Sequence, residues 1–169
     1  TYITKRSSNK KVKKGLNFYN NNIKLINDLE KKYKIEKELL LSLMGIETNF
    51  GTYLGKMDIL SSLATLSYDK RRSEFFTKEL LILLKLIDTN QINYETLYGS
   101  WAGAFGFFQF MPSTIKNHAI DYNKDNYIDL KNPFDAYASA GNYWSNMGWK
   151  KNSHCFYRVN LNDKISKKY

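Results

Sequence analysis

The chain has 169 residues, of which 43% are hydrophobic and 15% aromatic. This length suits one folded domain, and without a run of about 18 apolar residues the sequence predicts no membrane-spanning helix. A single cysteine excludes an intrachain disulfide, and the two histidines lack the spacing of a zinc site. Because the chain begins at Thr1 without a signal-peptide pattern, we expect a piece from which targeting information has been removed.

The net charge of +10 is concentrated near the N-terminus. Residues 1–38 carry 11 Lys/Arg and 4 Asp/Glu, a balance of +7. A basic surface favours a polyanionic partner such as nucleic acid, anionic lipid or an acidic cell-wall polymer. The alternative is a solvated helix face in a chain rich in lysine and asparagine, and the charge pattern leaves both open. Residues 1–15 have no strong period, and we interpret them as a basic arm or a short helix.

After the arm, apolar residues at helical spacing predict a helix of four to five turns. They are Leu16, Tyr19, Ile23, Ile26 and Leu29. Four further helices are predicted downstream, over residues 59–67, 74–88, 114–120 and 134–147. Asp58 has the position of an N-cap, and Pro133 opens the last helix. Residues 150–169 read as a polar, basic tail.

The stretch 38–51, ELLLSLMGIETNFG, predicts one more helix, and it carries the candidate acid. The apolar stripe of this helix runs through Leu39, Leu40, Leu43 and Met44, and Glu47 takes its last place. A carboxyl held out of water has a raised pKa and keeps its proton near neutral pH, as cleavage of a glycosidic bond requires. The alternative is a fraying helix end at which Glu47 reaches solvent.

No second carboxylate is evident as a partner for Glu47. Asp58 has the position of a cap, and Asp69 lies in a polar turn. A single carboxylate must act first as acid and then as base, which fits a reaction in which a hydroxyl of the sugar itself attacks. With no convincing strand pattern, the chain predicts an all-α fold, a single domain of about seven helices.

The segment 99–109, GSWAGAFGFFQ, interleaves glycines with aromatic residues. Glycines permit close backbone approach, and exposed aromatic rings stack on sugar faces. The alternative is a tightly packed core turn, which fits Phe105 and Phe108 taken singly. Upstream, Arg71 and Arg72 could grip substrate carboxylates, or could simply form a solvated turn.

The loop 121–132 follows the calcium pattern of oxygen ligands at alternate residues. It departs from the pattern at Asn126, where glycine is usual, and at Asn132, where a glutamate is usual. Asp135, three residues later, could supply the missing charge. The candidate ligands are Asp121, Asn123, Asp125, the Tyr127 carbonyl and Asp135. A solvated Asx turn is the alternative.

Three segments resemble one family in order and spacing along residues 2–149. They are GIETNFGTYLGKMDILSSLATLSYDKRR, YGSWAGAFGFFQFMPST and DYNKDNYIDLKNPFDAYASAGNYW. The family is that of membrane-bound lytic transglycosylase B, glycoside hydrolase family 103. The resemblance implies a lysozyme-like helical domain with an EF-hand-like loop. It also implies cleavage of the MurNAc–GlcNAc β-1,4 bond of peptidoglycan without water, leaving 1,6-anhydro-MurNAc ends.

The resemblance also implies roles for particular residues. Glu47 matches the sole catalytic acid/base. Substrate-binding positions are matched by Ser100, Gln109, Arg71, Arg72, Tyr143 and Tyr2, the two arginines facing the peptide stem. The five candidate ligands match the family's single metal loop, which raises our expectation of a structural Ca²⁺, while the chemistry needs no cofactor.

From the resemblance we expect a monomer in the bacterial periplasm that acts on peptidoglycan glycan strands. Association with the outer membrane and with other cell-wall enzymes is the further possibility, and nucleic acid is not an expected partner. Two departures stand out: Phe108 replaces a usual glycine and would narrow the cleft, and the chain diverges after Trp149. The alternatives to a transglycosylase are a non-catalytic cell-wall or polyanion-binding module and a lysozyme-type hydrolase.

Overall fold

The computed structural model describes residues 2–158, and its regular structure is almost entirely helical. In the described range no helix is long and apolar enough to cross a bilayer. The elements in chain order are α1 Tyr2–Arg6, α2 Asn9–Asn21, α3 Ile23–Tyr33, α4 Lys37–Glu47, β1 Met57–Asp58, α5 Ile59–Tyr68, α6 Ser73–Asp88, a 3-10 helix Tyr94–Thr96, β2 Tyr98–Gly99, α7 Pro112–His118 and α8 Pro133–Asn146.

The helices after residue 58 lie close to their predicted ranges. Asp58 Oδ1 accepts a hydrogen bond from the Ser61 amide at 2.6 Å, so the predicted cap of α5 is confirmed. Pro112 and Pro133 each occupy the first turn of a helix, where a missing N–H costs nothing. Helix α7 begins two residues before its predicted range and ends at His118.

In the N-terminal region the basic segment is helical, which is the second of its two interpretations. It forms α1 and the first half of α2, and the single predicted helix is two helices that meet at Asn22. The Asn22 side chain donates to the Phe18 carbonyl, so it competes with the helical pattern at this junction. Lysine has good intrinsic helix propensity, which is why a polar segment without an apolar period can still be helical.

Helix α8 lies in the middle of the core. Every residue from Asp135 to Gly141 is buried. The small residues of this run allow close approach: a Cβ added at Gly141 would lie 2.7 Å from the Tyr33 ring on α3. Helix α8 packs against α3, α4 and α7, and α6 packs against α5 and α7. The helix that carries Glu47 is therefore fixed directly on the central helix.

A two-stranded antiparallel pair joins the start of α5 to the glycine-rich segment. Met57 pairs with Gly99, and Asp58 pairs with Tyr98. The sequence shows no convincing strand pattern at these residues, because two-residue strands are too short for alternation to be visible. The pair sets where the glycine-rich segment begins.

Candidate active site

A pocket of about 230 Å³ lies where α4, α7, α8 and the glycine-rich segment meet. Three of the predicted site residues, Glu47, Gln109 and Tyr143, line it together. Among the described residues no second carboxylate lines this pocket. The full lining is Leu43, Glu47, Phe108, Gln109, Phe110, Thr114, Tyr143 and Trp144.

Glu47 is the last residue of α4, and its side chain is exposed where it lines the pocket. The prediction that the helix removes this carboxyl from water is therefore wrong for the free protein, and the alternative of a helix end open to solvent is the one observed. A helix C-terminus presents free carbonyl groups and no N–H donors, so a carboxylate there gains no partner that would offset lost hydration.

Thr48 takes the inward position that the pattern assigned to Glu47. The buried seam of α4 runs through Leu40, Met44 and Thr48, and Thr48 is fully buried. Its hydroxyl lies 2.9 Å from the Phe107 carbonyl and 3.2 Å from the Met44 carbonyl, both acceptors for its one proton. The same oxygen accepts from the Gly51 amide at 3.1 Å. Sequence analysis missed this residue, which ties the end of α4 to the segment that carries Gln109.

The turn that carries Gln109 is closed by paired backbone hydrogen bonds. Phe105 and Phe110 exchange amide-to-carbonyl bonds of 3.1 and 3.0 Å. Gln109 has φ +52°, a left-handed conformation that is uncommon for a side chain of its size. Its amide nitrogen donates to the Gly106 carbonyl at 2.9 Å, which leaves the amide oxygen directed to other donors. The turn thus holds an acceptor beside Glu47.

Aromatic rings build the walls of the pocket. The half-buried Phe108 meets the buried Tyr137 edge-to-face, with ring centroids 5.3 Å apart. Tyr143 packs against Phe110 at 5.6 Å and against the His118 ring at 5.1 Å. Rings anchored in this way present fixed apolar faces, the kind of surface that receives a sugar ring.

Ser100 does not line the pocket. Its hydroxyl accepts from the Ala104 amide at 3.1 Å and closes a turn that begins directly after β2. Its neighbour Trp101 is 68% exposed, whereas Phe105 is buried. The interpretation as a stacking surface therefore fits Trp101, and the interpretation as a packed core turn fits Phe105.

The paired arginines and Tyr2 lie outside the pocket lining as well. Arg71 forms an ion pair with Asp69 at 2.6 Å, and this contact lowers the pKa of Asp69 to about 2. The Arg72 guanidinium stacks over the Phe75 ring at 4.5 Å. Tyr2 is exposed on α1 beneath the Arg6 guanidinium. Their roles toward a substrate stay predictions.

The loop 121–132 folds its carboxylates onto its own backbone. Asp121 accepts from the amides of Lys124, at 2.7 Å, and Asn126, at 2.9 Å. Asp125 accepts from the Tyr127 amide at 2.9 Å and from the Asn123 side chain at 2.7 Å. In the described residues no group of three or more acidic, cysteine or histidine side chains is gathered closely enough to hold a metal.

Asp135 is the unusual carboxylate of this region, because it is fully buried. Its two oxygens accept from the amides of Tyr122 and Asp129, each at 2.9 Å. Burial, joined by the charge of Asp121, raises the pKa of Asp135 despite those hydrogen bonds. The predicted ligands are all oxygen donors, the class that calcium takes, and a buried carboxylate lacking a cation fits such an ion.

A larger groove of about 640 Å³ lies on a different face of α4. Helix α4 lines it with residues that include Leu41, Ser42 and Gly45, and most of the other lining residues belong to α1 and α2. Its lining is mostly apolar and does not include Glu47. It is larger than the pocket, but the smaller pocket is the one that combines a carboxylate, an amide and aromatic walls.

Comparison with known proteins gives concordant results. The family model of the transglycosylase SLT domain matches residues 1–169. The sequence is 39% identical over 141 residues to membrane-bound lytic murein transglycosylase B of Escherichia coli, covering 83% of this chain and 39% of that protein.

Two solved structures have the same fold. The Escherichia coli lytic transglycosylase SLT35 in complex with calcium matches with a TM-score of 0.85 and 37% identity, over 90% of this chain and 49% of that one. SltB3 from Pseudomonas aeruginosa in complex with NAG-anhNAM-pentapeptide gives a TM-score of 0.86 and 31% identity, over 90% of this chain and 41% of that one. The chain spans less than half the length of these relatives. The predicted all-α, lysozyme-like fold is confirmed, and the chain belongs to the transglycosylase SLT domain family.

Proposed function

We propose that this chain is a peptidoglycan lytic transglycosylase that cleaves the MurNAc–GlcNAc β-1,4 bond and leaves a 1,6-anhydro-MurNAc end. The observation that carries the proposal is the pocket in which Glu47 is the sole carboxylate among the described lining residues, opposite Gln109 and aromatic walls. Two-carboxylate glycosidases need a partner about 5–9.5 Å from the acid, and within residues 2–158 no second carboxylate lines this pocket. The relative SltB3 is complexed with an anhydro-sugar ligand, which supports the same product.

The exposure of Glu47 in the free protein sets how the acid would operate. A glycan strand seated in the pocket covers the carboxyl and excludes the water around it. The bound substrate, and not the fold of the helix, then removes water from the Glu47 carboxyl. The aromatic walls of Phe108 and Tyr143 favour a sugar ring at this place, since their faces are fixed by core contacts.

The reaction uses one carboxyl twice. Protonated Glu47 gives its proton to the glycosidic oxygen as the C1–O bond breaks, so the GlcNAc side leaves as a free hydroxyl. The developing positive charge on the MurNAc ring is stabilised by the substrate's N-acetyl group or by pocket dipoles such as the Gln109 amide. The C6 hydroxyl then attacks C1 and returns its proton to the Glu47 carboxylate. No water is consumed, and the enzyme ends in its starting state.

The test is the chemical form of the product. Purified peptidoglycan is digested with the chain and with Glu47→Gln, and the fragments are identified by mass spectrometry. We expect anhydro-muropeptides, which are about 18 Da lighter than hydrolysis products because no water is added, and a much smaller amount of them with Glu47→Gln. Fragments with an added water would instead identify a lysozyme-type hydrolase. Binding without cleavage, unaffected by Glu47→Gln, would identify a non-catalytic cell-wall module.

We also propose a structural calcium ion in the loop 121–132. Asp121, Asn123, Asp125, the Tyr127 carbonyl and Asp135 would hold it, and bound Ca²⁺ would supply positive charge to the carboxylates of the loop. The all-oxygen donor set and the burial of Asp135 support this proposal, as does the calcium complex of SLT35. Calorimetric titration of the EDTA-treated protein with CaCl2 tests it, with MgCl2 as the comparison.

The remaining proposals concern context. We propose that residues 1–169 act as one catalytic domain on glycan strands, as a monomer, in the bacterial periplasm. The name of the Escherichia coli relative describes a membrane-bound protein, which supports association with the outer membrane. Binding to another cell-wall enzyme is the further candidate interaction. Light scattering tests the oligomeric state, and fractionation of cells tests the location.

A further inference from the structure

Three cations of the N-terminal segment contact the end of α4 and the turn after it. Arg6 Nη1 donates to the Ile46 carbonyl at 3.0 Å, and Lys11 Nζ donates to the Gly45 carbonyl at 3.2 Å. One helical turn later, Lys14 Nζ donates to Thr52 Oγ1 at 2.7 Å. These contacts join parts of the chain that are 34 to 40 residues apart.

The chemistry of a helix end explains why cations collect there. The last carbonyls of an α-helix have no partner within the helix, and the negative end of its dipole favours positive charge. Helix α4 has no basic residue in its own last turn, so its sequence does not supply that charge. Arg6 and Lys11 supply it from α1 and α2. Burial, together with the charges of Arg6 and Lys14, lowers the pKa of Lys11, as expected where three cations lie close together.

The contacted peptides are those directly before Glu47. Fixing the carbonyls of Gly45 and Ile46 fixes the last turn of α4, and therefore the direction in which the Glu47 side chain leaves the helix. The Phe50 ring stands behind the same turn: a Cβ added at Gly15 on α2 would lie 2.8 Å from its Cζ, and one at Gly45 would lie 2.7 Å from it. At Gly15 and Gly45, the Phe50 ring alone separates α2 from α4.

We propose that Arg6 and Lys11 are positioning residues for Glu47, holding the end of α4 so that the carboxyl meets the glycosidic oxygen. This inference rests on the proposed function. It also gives the basic segment a use inside the protein, in place of the polyanion contact that its charge alone suggested. Neither side chain lines the Glu47 pocket, so neither is expected to touch the reacting atoms.

The test compares turnover with substrate binding. Release of anhydro-muropeptides is measured against peptidoglycan concentration for the wild type, the double variant Arg6→Gln with Lys11→Gln, and Lys13→Gln. Lys13 is the matched control, an exposed lysine of the same helix. Circular dichroism confirms folding at the assay temperature. Misplacing a reacting group by about 1 Å can cost about 100-fold, so we expect kcat of the double variant to fall about 10- to 100-fold. KM should stay within about twofold, and Lys13→Gln should match the wild type.

Rescue separates positioning from general stability. Lys11→Gln alone should lose part of kcat, and Lys11→Arg should recover most of it, since arginine can still donate to the Gly45 carbonyl. These two single variants also decide the question if the double variant fails to fold.

An unchanged kcat in the folded double variant would overturn the inference. So would a raised KM with unchanged kcat, because the cations would then be contacting the glycan itself. The proposed function is judged separately, on the wild type: its failure is the absence of anhydro products from the unmodified chain, whatever the variants do.

Discussion

Two glutamates on apolar helix faces have opposite surroundings. Glu47, at the end of α4, is exposed, whereas Glu79, in the middle of α6, is buried in a seam with Phe76 and Leu83. Glu79 Oε2 accepts from the Ser113 amide at 2.8 Å, in the first turn of α7. The apolar stripe of α4 predicts a buried carboxyl at Glu47, but Glu79 is the glutamate that is buried on an apolar helix face.

The difference shows what decides the burial of a carboxylate. Helix α7 begins without a side-chain cap of its own. The free amide of Ser113 in its first turn donates to Glu79, which serves as the cap from another helix. The end of α4 offers carbonyls instead, so its glutamate faces water and its cations come from the N-terminal segment. An acid facing solvent beside an aromatic pocket is available to a substrate, whereas a capped and buried acid is not.

The largest expected effect is on activity, from Glu47→Gln. Removing the only carboxyl among the described residues that line the pocket should lower the rate of anhydro-muropeptide release by about 10²- to 10⁴-fold, the usual contribution of a general acid and base. Stability should change by no more than about 0.5 kcal/mol, since the side chain is exposed. Muropeptide analysis and thermal unfolding measure the two. Wild-type rates in Glu47→Gln would remove Glu47 from the reaction.

The opposite pattern is expected at Glu79. Glu79→Leu leaves the Ser113 amide without an acceptor and should destabilise the protein by about 1–3 kcal/mol. Glu79→Gln keeps an acceptor oxygen and should lose much less. Urea unfolding measures the change, and activity well below the unfolding midpoint should stay within a few-fold of the wild type. A Glu79→Leu protein of full stability would break the contrast between the two glutamates.

Thr48 follows Glu47 directly at the end of α4, and it is buried whereas Glu47 is exposed. Thr48→Val keeps the shape but removes the donor to the Phe107 carbonyl and the acceptor for the Gly51 amide. We expect a loss of about 1–3 kcal/mol in unfolding free energy. Thr48→Ser restores the hydroxyl and is the control. If valine and serine were equally well tolerated, the link between α4 and the glycine-rich segment would not depend on these hydrogen bonds.

Asp135 is a second buried carboxylate held by backbone amides, and it extends the comparison to metal binding. With CaCl2 at about 100 times its dissociation constant, the wild type should gain about 2.7 kcal/mol over the EDTA-treated protein. Asp125→Asn should lose most of this gain, whereas Asp129→Asn, in the same loop but outside the predicted ligand set, should retain it. Thermal unfolding with and without calcium provides the measurement. An equal gain in Asp125→Asn would place any bound calcium elsewhere.

The smallest effect is expected at Glu36, a carboxylate of intermediate burial. Burial alone would raise the pKa of Glu36, but hydrogen bonds from the Asn152 amide and the Trp149 indole outweigh it and lower the pKa below 4.5. A lowered pKa means that its stabilising contribution is complete above about pH 4.5 and is lost as the pH falls through the folded-state value.

Glu36→Gln should therefore destabilise the protein by about 1 kcal/mol at pH 7 and by less in acid. Urea unfolding between pH 3 and pH 7 follows the difference from the wild type, with pH values chosen to bracket 4.5. A difference that does not depend on pH would contradict the proposed cause.

Sequence patterns predicted the parts of the fold that depend on local signals. Helices α5, α6 and α8 have strong apolar periods, and the cap of α5 is a property of Asp58 and its neighbours. The sequence left the state of residues 1–15 open between an arm and a helix, because a lysine-rich helix needs no apolar period. The cap from Glu79 was missed because its partner, Ser113, is 34 residues away in the chain.

In the candidate site as well, features with a local sequence signal were predicted and contacts between distant residues were not. The family motifs indicated Glu47, Gln109 and Tyr143, and these three line one pocket, although their roles stay predictions. Thr48 was missed because its partner carbonyl, on Phe107, is 59 residues away. The burial predicted for Glu47 was wrong. Periodicity predicts the helix face on which a residue lies, but it does not predict which polar groups surround the side chain there.

The Phe50 ring lies between Gly15 and Gly45, so a change on α2 can shift the end of α4 and the Glu47 carboxylate without touching it. A single methyl group at position 15 would push against this ring from α2, and the ring against the last turn of α4. On the proposed function, turnover would then respond to an uncharged substitution at a position outside the lining of the Glu47 pocket.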